Sequence, residues 1–345
     1  MPVLVRMRPA ERTWPAALTL FVIAALIPES VATFNSPPLL LLTRPYVLLF
    51  LCAFYGSVAL LVREFIRRRA PRWAAVLLLG AAAGAVNEGI IAGTWYKVQY
   101  PGYALVGPLD PAVAVGLTVF HALVSTVLPI LLAELMFPQI ASRPWLESRA
   151  RAGFLLLLAL TAATGFVPAA HRTAKLLVLL MVIAAVATAL TLPARTARAR
   201  PRGSPPRGSP PRAGPPRADP PAPGPALLYA SGAAAIVVFY AIFAFVPAAI
   251  AHAVPAAARP GWQAVPALLM TGLFGGVVAL ARNWSARPGW GQAETLAVIT
   301  GVLVPPAVLS VLLPGALAGL EPLATVPMLA VLLWLRSRLR ARPRA

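Results

Sequence analysis

Apolar runs of about twenty residues, each long enough to cross ~30 Å of hydrocarbon as a helix, recur along the whole chain between short basic breaks. They begin near Trp14, Pro45, Trp73, Pro111, Ala152, Ala174, Ala226, Val265, Ala293 and Ala316. In lipid every backbone polar group needs a partner within its own segment or a neighbouring strand, so only helices and closed barrels span a membrane. These runs lack the apolar/polar alternation of barrel strands. They predict an all-α fold, a polytopic membrane helix bundle of about ten transmembrane helices.

Charge carries the argument further. Only 12% of the residues are charged, about half the share found in soluble domains. A net charge of +20 would suggest nucleic acid for a soluble protein. Here, of the 30 Lys and Arg, all but Arg44, Lys97, Arg172, Lys175 and Arg259 fall in alternate breaks, on one side of the predicted spans. That is the positive-inside pattern, and an odd number of spans would destroy it. It predicts cytoplasmic N and C termini, arginines set against anionic lipid headgroups, and no nucleic-acid partner. The heavy use of Ala, Arg, Pro and Gly suggests a high-GC bacterium, hence a multi-pass protein of the bacterial cytoplasmic (plasma) membrane. The start, Arg6 to Arg12 followed by Ala16 to Ile27 and Ser30-Val31-Ala32, has the outline of a cleavable signal peptide, but Glu29 beside the cleavage position favours a retained first helix.

Four five-residue repeats between Arg202 and Pro221, each opening with an arginine and closing with paired prolines, cannot form a helix. The chain is therefore expected to divide into a first bundle of six helices (1–193), a Pro/Arg-rich disordered cytoplasmic linker (194–225), a second bundle of four (226–336) and a basic tail (337–345). The single cysteine, Cys52, lies within an apolar run, so neither a disulfide nor a thiolate metal site is available. No metal and no cofactor are expected.

An ionisable group at membrane depth costs about 2.5 to 3.5 kcal/mol on insertion scales, so each needs a partner or a purpose. Glu29 follows Pro28 in the first run; Asn87 and Glu88 lie in the third; His121 and Ser125, four residues apart on one helix face, lie in the fourth. Gly80, Gly84 and Glu88 share a face of the third helix, and small residues at that spacing let another helix approach closely. Counted along the helices, Glu29 and Glu88 both lie about 22 Å above the cytoplasmic boundary, with His121 within one or two turns of that level. These five residues are the candidate substrate or proton site. Glu134 falls on another face and is expected to pair with Arg143 or solvent. Tyr240, Asn283, Glu294, Glu321 and His252 read as interfacial.

Ile-Pro-Glu-Ser (27–30), Ala-Val-Asn-Glu-Gly (85–89), Phe-His-Ala-Leu-Val-Ser (120–125) and Glu-Leu-Met-Phe-Pro (134–138) resemble segments of uncharacterised bacterial multi-pass membrane proteins of unknown activity. Comparison with the intramembrane proteases that process prenylated or membrane-bound substrates fails at two points: Asn87-Glu88-Gly89 stands where those carry Glu-Glu, and a second intramembrane histidine is missing. Phosphate-binding loops, His-Glu-x-x-His and Gly-x-Ser-x-Gly are all absent. Three functions fit: a transporter or permease with an outward-facing polar site in the first bundle, an intramembrane enzyme (protease or lipid-modifying) using Glu88 and His121, or a structural membrane component.

Overall fold

The computed structural model describes residues 12–32, 37–70, 73–98, 102–192, 220–312 and 320–341. The start of the signal-peptide-like segment, most of the 194–225 linker and the last four residues lie outside them. The described residues are almost wholly helical, with one isolated β-bridge, Val106 to Leu109. Ten long helices account for the predicted runs. They are α1 (Trp14–Ala32), α2 (Pro45–Arg69), α3 (Trp73–Ile91), α4 (Pro111–Met136), α5 (Ser148–Thr164), α6 (Arg172–Thr191), α7 (Pro225–Ala253), α8 (Ala264–Ser285), α9 (Gln292–Leu312) and α10 (Pro322–Arg340). Among the described residues nine segments are long and apolar enough to cross a membrane; α5, at 17 residues or about 26 Å, is the tenth helix and the shortest of the first six.

Helix ends follow local chemistry. Asp110 caps α4, its carboxylate accepting from the backbone N–H groups of Ala112 and Val113 at 3.0 Å, with Pro111 in the first turn where no N–H is needed. Arg67, Arg68 and Arg69 occupy the last turn of α2, where they complement the exposed carbonyls. Inside α7, Pro247 cannot donate to the carbonyl of Phe243, and the hydroxyl of Tyr103 donates to it instead at 2.6 Å.

Small residues set the helix spacing. A Cβ on Gly80 would sit 2.9 Å from the Ala122 Cα, and one on Gly84 2.9 Å from the His121 Cβ, so the glycine face of α3 lies directly against α4. Gly232 and Gly301 do the same for α7 and α9: a Cβ on Gly301 would come 2.2 Å from the Tyr229 carbonyl oxygen. The two halves of the chain share a core in which Ile27, Phe120 and Leu132 pack with Ile236, Leu303 and Leu332. Tyr240, expected at an interface, lies in the body of α7 and donates to the Ala32 carbonyl at the end of α1. The loop before α4 adds a further clamp, with the Gln263 amide donating to the Gly102 carbonyl at 2.8 Å.

At the other end of the first helices the arginines are not merely a solvated break. Arg63 is 0% exposed, lies 3.2 Å above the centroid of the Trp145 ring, and bonds the carbonyls of Ala141 and Arg143. Glu134 pairs with Arg63 at 3.1 Å and with Arg67, not with Arg143 as expected from the sequence. Glu64 accepts from the Trp145 backbone and pairs with Arg68. A buried guanidinium demands such a cage, because leaving it unpaired costs several kcal/mol.

Candidate functional site

Four helices of the first half leave α geometry, and each does so where it carries a polar side chain. The π-helical segments are Ile27–Ala32, Cys52–Gly56, Val86–Ile91 and His121–Val127. Their hydrogen bonds run i to i+5, as from the Ala92 N–H to the Asn87 carbonyl at 2.8 Å. Pro28 within the first segment and Pro129 just after the fourth withhold donors that an α-helix would use. Such segments redirect side chains, and they concentrate at functional sites.

Here they converge. Glu29, Asn87, Glu88, His121 and Ser125 all enter one hydrogen-bonded network, joined by Tyr55 and Thr94. The Tyr55 hydroxyl donates to Glu29 Oε1 at 2.6 Å and accepts from Asn87 Nδ2 at 2.9 Å. Asn87 Nδ2 also donates to Glu88 Oε1 at 2.6 Å, and the Thr94 hydroxyl donates to Glu88 Oε2 at 2.5 Å. His121 Nε2 lies 2.7 Å from Glu88 Oε1, and its Nδ1 lies 2.7 Å from Ser125 Oγ. The imidazole is held between two rings, stacked on Tyr55 at 5.6 Å and edge-on to Phe120 at 5.5 Å. Ser125, Tyr55, His121, Glu88 and Glu29 are 1 to 9% exposed, while Asn87 is half-buried, so the site is packed and not an open bowl.

This geometry supports two proton arrangements without moving a heavy atom. In one, His121 Nε2–H donates to a Glu88 carboxylate and Ser125 O–H donates to Nδ1. In the other, the proton sits on Glu88 and is donated to Nε2, while Nδ1–H donates to Ser125 Oγ. Asn87 Nδ2 lies 3.4 Å from His121 Nε2 and can donate to it only in the second state, where Nε2 carries no proton. The second state holds one proton more than the first: Ser125 passes its proton to Nδ1 and takes a replacement from outside the network while the Nε2 proton moves to Glu88, so the step is the net uptake of one proton.

Tyr55 and Thr94 were not among the residues singled out from the sequence. Tyr55 looked like any aromatic of an apolar run, yet its place about ten residues into the span, beside Gly56, separates it from the belts at helix ends. Thr94 lies beyond the span, in a short 3-10 turn.

With the geometry in hand, comparison with known proteins adds the lineage. The model of an uncharacterized membrane protein family matches residues 18–339, nearly the whole chain. The chain belongs to that family. Its matched region includes all four π segments and every member of the network. No match is found among curated proteins or among solved structures.

Proposed function

We propose that this family member is a proton-coupled transporter, or permease, of a bacterial plasma membrane, with both termini in the cytoplasm. The polar network in the outer half of its first bundle is the proton-binding site. The observation that supports it is the Ser125–His121–Glu88 series, in which both imidazole nitrogens meet exchangeable partners at 2.7 Å inside a bundle of four π-distorted helices. Tyr55 and Glu29 extend the series towards the end of α1 and give the proton a second carboxylate. Buried ionisable groups that can exchange protons in this way couple proton movement to a conformational change.

The test uses the full chain in liposomes loaded with a pH-sensitive dye, under an imposed potassium-diffusion potential. Proton entry should exceed that of protein-free liposomes and fall by at least about tenfold in Glu88→Gln and His121→Gln, since each removes one proton-transfer partner. Size-exclusion profiles of the variants establish that they remain folded. Proton entry equal in wild-type and protein-free liposomes would overturn the reading.

A second reading, an intramembrane enzyme, draws on the same series: with Nδ1 as acceptor, His121 is placed to deprotonate Ser125 as a nucleophile, and Glu88 fixes the ring. The two readings part on Ser125. Covalent capture of a fluorophosphonate at Ser125, abolished by Ser125→Ala, favours the enzyme; Ser125 unreactive but proton entry intact favours the transporter.

A further inference from the structure

The helices of the second half do not close on α4 along their whole length. At one end α8 packs tightly, with Met270 fully buried and its sulfur only 2.4 Å from where a Cβ on Gly116 would sit. From there α8 stands away from the bundle; Gly272, Gly275 and Gly276 have open space where a Cβ would go. The gap between α4, α7, α8 and α9 is a chamber of about 310 Å³. Its deep end is formed by Phe120 and Phe239, whose rings stack at 5.7 Å. Its mouth carries Trp73, Arg282, Trp284 and Trp290.

We propose that this chamber binds one acyl chain of an anionic phospholipid from the leaflet on the Arg282 side, with the headgroup held by Arg282. Three features select this occupant. The wall is apolar along its depth, and from Leu273 to Ser285 it follows α8 for about 18 Å, close to the ~15 Å of one leaflet's hydrocarbon. Three tryptophans at the mouth mark the level of the headgroups, where amphipathic rings settle. Arg282 is exposed among them and forms no ion pair among the described residues, so its charge is available to a phosphate. A neutral lipid would leave that charge unanswered. This inference stands apart from the proton site, because it concerns different residues and a different measurement.

The experiment reconstitutes the full chain in nanodiscs containing a phosphatidylglycerol whose one acyl chain ends in a diazirine. Illumination is followed by peptide mapping with mass spectrometry. Adducts are expected on α4 and α7 near Phe120 and Phe239, and Ala235→Trp, which fills the chamber, should remove them. Val298→Phe, entering from α9, is the second blocking variant should the first not fold. Arg282→Gln should reduce labelling by phosphatidylglycerol about fivefold, the worth of one basic residue at an anionic surface, and leave labelling by the matching phosphatidylcholine unchanged. The proposal is overturned by adducts confined to outward-facing residues such as Leu268 and Leu309, by persistence of the chamber adducts in a folded blocking variant, or by equal chamber labelling from the two lipids.

Discussion

Asp110 shows how a single residue ties charge to stability. It is 0% exposed; Oδ1 caps α4, and Oδ2 meets no partner among the described residues. Burial pushes the carboxyl above the usual carboxylate range, outweighing the two backbone N–H groups that pull it down. A raised value means that the folded state holds the proton more tightly than the unfolded state does. Stability therefore falls as pH rises from the unfolded carboxyl value of about 3.9 through the raised folded one, and levels off above it. Asp110→Asn keeps the capping oxygen but cannot ionise. Its melting temperature in detergent should match the wild type below about pH 4, then exceed it by a gap that opens as pH rises through the raised folded value and stays constant above it, whereas Asp110→Ala should lose about 1 kcal/mol with the cap. A gap that narrows with rising pH would refute the assignment. At this scale the sequence was informative where chemistry is rare: Glu29, Glu88 and His121 stand out because charge inside an apolar run is expensive. It was silent on Tyr55 and Thr94, whose residue types are ordinary in membrane helices, and it misassigned Glu134, because Arg63 reads as a surface arginine until its cage of carbonyls and carboxylates is seen.

At the scale of elements, two glycine contacts carry the packing. Gly301→Leu would drive a side chain into the Tyr229 carbonyl of α7, since even a Cβ would lie 2.2 Å from that oxygen. The backbone cannot yield as a flexible side chain would, so the loss should be at least about 3 kcal/mol, the upper part of the overpacking range. Gly272→Leu on α8, with open space around it, is the matched control and should change the melting temperature little. Equal effects would mean that α7 and α9 are not in close contact. The glycine face of α3 was legible from the spacing of Gly80 and Gly84, because a period of four on a helix needs no tertiary information. The π segments were not. Hydropathy is blind to whether a carbonyl bonds four or five residues ahead, and Pro28 and Pro129 marked only that α bonding fails nearby.

For the whole molecule, the number of helices was legible in the apolar runs, whereas the proposed orientation rests on the arginine bias alone. In a Cys52→Ala background, a cysteine replacing His171 in the turn between α5 and α6 should react with a membrane-impermeant maleimide added to intact cells. One replacing Ser148 at the start of α5 should react only after permeabilisation; the reverse result inverts the topology. The sequence could not reveal that the two halves form one core, since that depends on side chains far apart in the chain, such as Tyr240 reaching the end of α1.

The four π segments make the polar network a matter of number as well as of kind. Each fits an extra residue into a widened turn, so loss of that residue would restore plain α bonding, leave the flanking segments on their faces and re-aim the side chains of the π turn itself. Hydropathy, charge bias and every polar residue would survive such a loss, yet Glu88 and His121 would face different neighbours. In this chain the network should therefore be more sensitive to deletion of a single residue within a π segment than to most substitutions of the apolar residues around it.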